Sequence, residues 1–403
     1  MFLQYTLTLS TYYETLYFLN PTYTFTLYET VSQLPEQWNN LAALNVFLSI
    51  PYLEALEQSA PLNMQCFYIG LFENTKLVGI SLAQFLNLNQ LESFGERDKC
   101  IKTFFRNIIF RNFGAHVLLI GNNMLTGQNA YCFSTEVNLV KGVEVLHLAS
   151  LAIRENLKKQ GLKTHLTTFK DFNQEEFTAF STPIFSNFYR FTTQPNMVFC
   201  SCDHWKTFDD YLSSLTKKYR DQYKRCRKKG EGIEKQKLDL NAIIFLEDKI
   251  YELYHHVALN APFNTFFLAK NHFRMMKEKL KDKFLFYGYF EKGELIGFNT
   301  LVKNGDQMDT YFLGYDEQIQ REKMLYLNML YDMVAYSINK GFKEIVFGRT
   351  ALEIKSSIGA KPEKMTGLIQ HSNRLINLNM STFFASLEPK STWKERNPFK
   401  ENP

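Results

Sequence analysis

Residues 309–350 read DTYFLGYDEQIQREKMLYLNMLYDMVAYSINKGFKEIVFGRT, the pattern of a strand, a loop, a helix and a second strand. Residues 309–315 alternate polar with apolar positions and carry aromatic and β-branched bulk, the period-2 signature of a half-buried strand. A polar loop, 316–323, follows. From Met324 the apolar residues fall at Leu327, Leu330, Tyr331, Val334 and Ile338, the spacing of a helix that lays one face on a sheet. Gly341 marks the helix stop, and Glu344, Ile345, Val346 and Phe347 make a short buried strand. A helix that begins just past a strand end turns its free N–H groups back over that edge, which suits a phosphate or a thioester oxygen.

Outward from this unit the chain repeats itself. YIGLFENTKLVGI at 68–80 aligns without gaps on FYGYFEKGELIGF at 286–298, matching Gly70 with Gly288, Phe72 with Phe290, Glu73 with Glu291, Leu77 with Leu295 and Gly79 with Gly297. Both read as hairpins. Upstream, Phe47-Leu48 opens a helix (47–58, with Pro51 in its first turn) as Phe267-Leu268 opens another. A first helix enters at 32–38. Downstream, the helix 143–160 ends in Gly161-Leu162-Lys163, as its counterpart ends in Gly341-Phe342-Lys343. Three matches in one order predict a duplication. The first copy has its facing strand at 116–121, a long loop at 122–141 and an inserted helix at 96–112. The division falls at 195/196, giving halves 1–195 and 196–403, the second entered through a basic helix spanning 208–229.

That helix opens on a capping pattern, Thr207 with Asp210. Lys218, Arg220, Lys224, Arg225 and Lys228 crowd its polar positions, while Leu212, Leu215, Tyr219, Tyr223 and Cys226 form an apolar stripe. Such a run fits a solvated face, an acidic lipid surface, a cofactor phosphate or RNA. The whole chain is 403 residues with a net charge of +5, so an anionic partner must be met by a local patch. At 45% hydrophobic and 22% charged it is globular. The six Cys lack metal-ligand spacing, so no metal is expected and the thiols read as reduced, in a cytoplasmic protein. The N-terminus has no positive n-region, and no run of about 18 apolar residues predicts a span.

The duplicated plan, the helix KKYRDQYKRCRKKG and the run FGRTALEIKSSIGA resemble the tandem GNAT-type acyltransferases. These include the Fem aminoacyltransferases and the related predicted N-acyltransferases that count bacterial ceramide synthases among them. The resemblance covers residues 32 to 371. It implies an α/β (α+β) fold of two tandem GNAT-like domains, each a mixed, mostly antiparallel sheet flanked by helices. It also implies transfer of an acyl group from acyl-CoA, acyl-acyl-carrier-protein or aminoacyl-tRNA, as co-substrate, to a primary amine. The acceptor is then a long-chain base or a cell-wall precursor, and no cofactor is held permanently. Two strands splay to admit the acyl arm, here 309–315 and 344–347, with 316–323 donating amides to its phosphates. The glycine-rich phosphate loop of the family is absent: Gln320, Arg321 and Lys323 stand where glycines would let backbone wrap a pyrophosphate, which favours a carrier held by charge.

Direct transfer needs a base for the amine and a donor for the leaving group. Asp309 and Glu353 are the candidate bases, and both also fit solvated carboxylates at strand ends. Tyr311 and Tyr315 alternate onto one strand face and offer a proton donor, or simply packing. Arg349 and Lys355 follow the second strand and offer a clamp for a phosphate, carboxylate or headgroup, or a loop salt-bridge cluster. No Gly-x-Ser-x-Gly elbow or Walker loop is present, which sets hydrolase and nucleotide-hydrolysing readings aside. The competing reading is a non-catalytic membrane-surface or RNA-binding protein, with peripheral contact to the inner membrane face.

Overall fold

The computed structural model describes residues 23–90, 114–260, 264–382 and 393–400, so the helix expected at 96–112 lies outside the described residues. The strands make two sheets. The first holds β1 (Thr24–Tyr28), β2 (Met64–Glu73), β3 (Lys76–Asn87), β4 (His116–Ile120), β5 (Tyr131–Phe133), β6 (Leu166–Phe172) and β7 (Tyr189–Thr192). The second holds β8 (Asn196–Cys200), β9 (Ile233–Lys237), β10 (Phe284–Glu291), β11 (Glu294–Asn304), β12 (Gln307–Tyr315), β13 (Glu344–Gly348) and β14 (Lys361–Glu363). β15 (Thr366–His371), though late in the chain, is a strand of the first sheet.

The matched hairpins are alike down to their irregularities. In β2–β3 the register shifts between Leu71 and Phe72, and in β10–β11 between Tyr289 and Phe290, which are aligned positions. A β-bulge is a specified local feature rather than a chance defect, so its recurrence supports the repeat. A Cβ on Gly70 would approach Phe72 and Leu77, and one on Gly288 would approach the equivalent Phe290 and Leu295.

Strand orders run β1-β2-β3-β4-β6-β15-β7 and β14-β8-β13-β12-β11-β10-β9. In each sheet one parallel pair sits amid antiparallel neighbours, β4–β6 in the first and β12–β13 in the second. Beyond the parallel pair of the first sheet lies a strand from the second half, and beyond that of the second sheet lies β8, the first strand of its own half. β15 pairs with β6, and β8 pairs with β13. β15 thus completes the first sheet from across the 195/196 division.

The helices needed here are α1 (Ile50–Gln58), α2 (Leu139–Lys159), α3 (Phe208–Ser214), α4 (Lys217–Lys229), α5 (Leu240–Phe245), α6 (Glu247–Asn260), α7 (His272–Leu280), α8 (Glu317–Lys323), α9 (Leu325–Asn339) and α10 (Leu352–Ser356). The entry expected at 32–38 is a 3-10 turn, Val31–Gln33, followed by the short helix Trp38–Leu41. α1 carries Pro51 in its first turn, but a 3-10 turn, Val46–Leu48, replaces the start expected at Phe47. The basic helix expected at 208–229 is two helices. Leu215 leaves α3 in an extended conformation, is fully buried and bridges to Phe399, so the chain turns there to bury an apolar side chain.

One apolar core lies between the halves, combining Phe47, Tyr52 and Leu56 of the first with Phe273, Phe286 and Phe298 of the second. The outer face of the second sheet packs on α3, α4 and α9, and that of the first on α2. α6 crosses β12 so closely that a Cβ on Gly314 would lie 2.6 Å from backbone atoms of Leu253 and Tyr254. Backbone cannot yield as a side chain can. Gly314→Ala is therefore expected to cost about 2 kcal/mol or more in a denaturant titration, with α6 forced off the strand.

Candidate active site

β12 and β13 pair only through Gln307, Met308 and Asp309 against Glu344, Ile345 and Val346. Beyond Asp309 the strands diverge, leaving 310–315 without a strand neighbour on that side. The divergence coincides with a bulge in β12: Thr310 pairs with Leu301 and Leu313 with Asn299, so one extra residue is accommodated at Tyr311 and Phe312. The extra residue reverses the alternation of side chains. Tyr311 consequently packs in the core between the halves, whereas Tyr315 packs on the opposite face, with its ring 6.2 Å from that of Tyr326. The expectation that the two tyrosines share a face fails for this reason.

Asp309 sits at the apex of the splay and is 6% exposed. Burial pushes its carboxyl up to about 7, helped by the charge of Glu344, while the bond from Asn304 offsets part of the rise. Asn304 Nδ2 donates to Asp309 Oδ2 at 3.2 Å, and Asn304 Oδ1 accepts from the Val46 N–H at 2.9 Å. The carboxyl is thereby linked to the first half. Elsewhere on the seam Asn45 Nδ2 donates to Asn129 Oδ1, and the Thr126 hydroxyl to Asn196 Oδ1.

The Tyr311 hydroxyl lies 2.9 Å from Nε2 of His272, a residue with no exposed surface. On the other side of the ring, Nδ1 is 2.9 Å from the Ser59 hydroxyl, which itself donates to the Ala55 carbonyl at 2.6 Å. Nδ1 must then carry the proton, and Nε2 accepts from Tyr311. Burial pulls His272 down to about 4, so the ring is neutral. Tyr52 bonds to Tyr311 and accepts from Asn122 Nδ2 at 2.9 Å, and burial raises the Tyr311 phenol well above its ordinary value. His272 carries no sequence signal: it is a single histidine at the start of a helix.

Arg349 follows β13 and pairs across the seam with Asp171 Oδ2 at 2.5 Å. Lys170 Nζ contacts the same oxygen at 2.5 Å and also donates to the carbonyl of Leu125 at 3.0 Å. Burial alone would raise Asp171, but the two cations outweigh it and hold the carboxyl below its ordinary value. Lys355, 3% exposed, donates to the carbonyls of Phe347 and Gly348, at 2.5 and 3.3 Å. Burial lowers it to about 7. It closes β13 carbonyls that the divergence strips of sheet partners.

Glu353 lies apart from these groups. Its carboxylate accepts from the Lys394 N–H at 3.1 Å and from Arg396 at 3.0 Å, which lower it from its ordinary value. A carboxylate so held is a latch for residues 393–400 and a poor base. Glu353→Gln is expected to leave activity within about twofold while loosening that segment, read as faster limited proteolysis.

The loop expected at 316–323 is the helix α8. Asp316 caps it, its Oδ1 accepting from the N–H groups of Gln318 and Ile319 at 2.9 and 3.0 Å, so these amides are already engaged. Without glycine, a sequence beginning Asp316-Glu317 satisfies its own backbone by winding up. Gln320 lies inside this helix, Arg321 pairs with Glu317 at 2.8 Å and Lys323 with Glu291 at 3.0 Å. The start of α9 is covered as well. Leu325 is fully buried, the Cys226 thiol reaches the Met324 carbonyl, and a Cβ on Gly230 would fall 2.8 Å from Asn328 Nδ2. Burial pushes that thiol up to about 12, as suits packing.

On α4, Lys218, Lys224, Arg225 and Lys228 are exposed, whereas Arg220 turns inward to the Leu215 carbonyl. In the first sheet the counterpart of the β12 bulge is the whole excursion 121–130 between β4 and β5, both of which pair with β3. Lys170 of β6 bonds that excursion at Asn122 and Leu125. The first splay is thus bridged by its own chain. Among the described residues no group of three or more His, Cys, Asp or Glu could hold a metal.

Two sheets in tandem, each with one splayed parallel pair, with β15 of the second half completing the first sheet, give a tandem GNAT-like, Fem-like fold. The crystal structure of FemX superposes with a TM-score of 0.50 at 10% identity, over 85% of this chain and 97% of that one. A conserved protein of unknown function from Bacteroides thetaiotaomicron VPI-5482 gives 0.48 at 11%, over 85% and 98%. A tandem GNAT protein from the clavulanic acid biosynthesis pathway gives 0.47 at 10%, over 87% and 99%. No protein-family model matches the sequence, and no curated protein matches it.

Proposed function

We propose that this chain is an N-acyltransferase that moves an acyl group from an activated carrier to a primary amine at the β12–β13 splay. The observation that carries the reading is Asp309, a carboxyl poised near neutrality at the apex of the one splay that no excursion of the chain bridges. A base of that strength takes a proton from an ammonium group at physiological pH without being permanently protonated or inert. The freed amine attacks the carbonyl carbon, the C–N bond forms, the bond to the carrier breaks, and the leaving group takes up a proton. Tyr311, held as a neutral phenol by His272 and Tyr52, is the donor nearest in sequence to the base. Arg349 and Lys355 fix the turn that borders the cleft.

Because Asp309 is 6% exposed, an acceptor reaches it only when the Asn304–Val46 contact opens. The seam beside Asn304 carries amides and a hydroxyl, at Asn45, Asn129 and Thr126, bonded to one another or to Asn196, and a polar seam suits a polar amine on a peptide or sugar better than a long-chain base. On the donor side, a covered α9 terminus and a helical 317–323 leave little for a free pyrophosphate to grip. This supports a carrier that is itself held on the surface, an acyl carrier protein or an aminoacyl-tRNA, over acyl-CoA.

The test is mass spectrometry of the protein incubated with pooled acyl-CoA, acyl-acyl-carrier-protein and aminoacyl-tRNA and a panel of amines. An amide product is expected. Absence of any product across donors and acceptors contradicts the reading.

A further inference from the structure

The outward face of α4 plays no part in the chemistry above. Lys217, Lys218, Lys224, Arg225, Lys228 and Lys229 are all exposed and form no ion pair among the described residues. At 100° per residue they fall within about 140° of arc, with Asp221 the one acidic residue among them. The helix is rigidly mounted. Arg227 points the other way and bonds Asn328 Oδ1 at 3.0 Å and Asp332 Oδ1 at 2.7 Å, and Asp332 Oδ2 accepts from Tyr289 at 2.9 Å. Leaving six cations unpaired on a fixed surface some 20 Å long costs self-repulsion that an anionic partner relieves.

The chain leaves α4 through Gly230 and Gly232 into β9, the free edge of the second sheet, whose exposed residues include Lys235 and Lys237 beside Glu234. It then enters α5, where Phe245 is 87% and Ile244 47% exposed. Lys281 and Lys283 are exposed at the end of the neighbouring α7. α5 packs in the core between the halves and α4 on the opposite face of the second sheet, so the α4 cations form a surface of their own, and a rigid lysine-rich surface is what the headgroups of an anionic bilayer attract. Nucleic acid fits less well. The aromatic residues of α4, Tyr219 and Tyr223, pack inward where bases cannot stack on them, and five of the six cations are lysines rather than the forked arginines that grip phosphates in pairs.

We infer that the outward face of α4 is a membrane-docking face, in which its six exposed cations meet anionic lipid headgroups. No helix among the described residues is long and apolar enough to cross a membrane, so the contact is peripheral. This inference does not depend on acyl transfer.

The experiment is flotation of the full chain with vesicles of phosphatidylcholine alone or with about one-third phosphatidylglycerol. The native chain is expected to float with the anionic vesicles and to be released between about 0.1 and 0.5 M salt. The exposed triple variant K224E/R225E/K228E is expected to lose roughly tenfold or more in partitioning, with an unchanged circular dichroism melt. Equal binding to neutral and anionic vesicles, or a triple variant that floats like the native chain, overturns the proposal. So does a native chain that ignores vesicles but binds a duplex RNA through the same lysines.

Discussion

Asp309→Asn is expected to reduce amide formation by about 10²–10⁴-fold, the usual worth of a positioned general base, while making the folded protein more stable at pH 8. The two effects have one origin. A carboxyl ordinarily near 3.8 that burial raises to about 7 binds its proton more tightly folded than unfolded. Below the unfolded value both states are protonated and nothing is lost. As pH rises from about 4 through 7 the unfolded carboxyl ionises first, so stability falls, by up to about 4 kcal/mol for a shift of this size. Asparagine keeps the shape and a partner for Asn304 but never ionises, so the variant should lack this decline. Lys355, lowered from 10.5 to about 7, acts in the opposite sense: stability is lost as pH falls from about 10.5 to 7, and the loss is complete below 7. Denaturant titrations of the native chain and Asp309→Asn between pH 4 and 8 separate the two contributions. A variant that is fully active, or less stable than the native chain at pH 8, contradicts the role given to Asp309.

The second large effect is expected at Asp171. Its carboxylate, 1% exposed, is shared by Lys170 and by Arg349 from the other half. Removing one partner from a buried ionic cluster leaves uncompensated charge, which typically costs about 3–5 kcal/mol. Asp171→Ala should lose that much in a urea titration. The backbone at Asp171 has φ +69°, a conformation asparagine tolerates well. Asp171→Asn therefore isolates the charge from the strain and should remain costly. Adding Arg349→Met to Asp171→Asn should recover part of the loss, because no guanidinium is then stranded. If Asp171→Asn costs under about 1 kcal/mol, the cluster does not hold the halves as described.

Much of the scaffold was legible in the sequence because local patterns carry it. The gapless match of 68–80 to 286–298 located both hairpins, and the structure places a bulge at the same aligned residue in each. The periodicity from Met324 and the stop at Gly341 describe α9 closely. The return of β15 to the first sheet was not legible, since strand pairing across more than a hundred residues leaves no local trace. Nor was the parity of Tyr311 and Tyr315: a single bulge residue undoes a period-2 reading without changing composition. At the site, Asp309 stood out by its place at a strand that must splay. Its burial, the His272 and Tyr52 partners of Tyr311, and the capture of Arg349 by Asp171 all arise from packing one half on the other. Glu353 illustrates the same limit, because its partners at 394 and 396 lie in a segment whose docking no periodicity announces.

The central claim, that the second splay and not the first receives the acyl donor, is tested most directly by amide hydrogen exchange. The protein would be measured with and without the carrier identified by the product screen. Slower exchange confined to 310–315 of β12 and to the turn at 348–355 is the predicted result, since those amides border the gap. Slower exchange at 121–133 and 169–172 of the first sheet, with β12 unchanged, would place the donor in the other half and contradict the account.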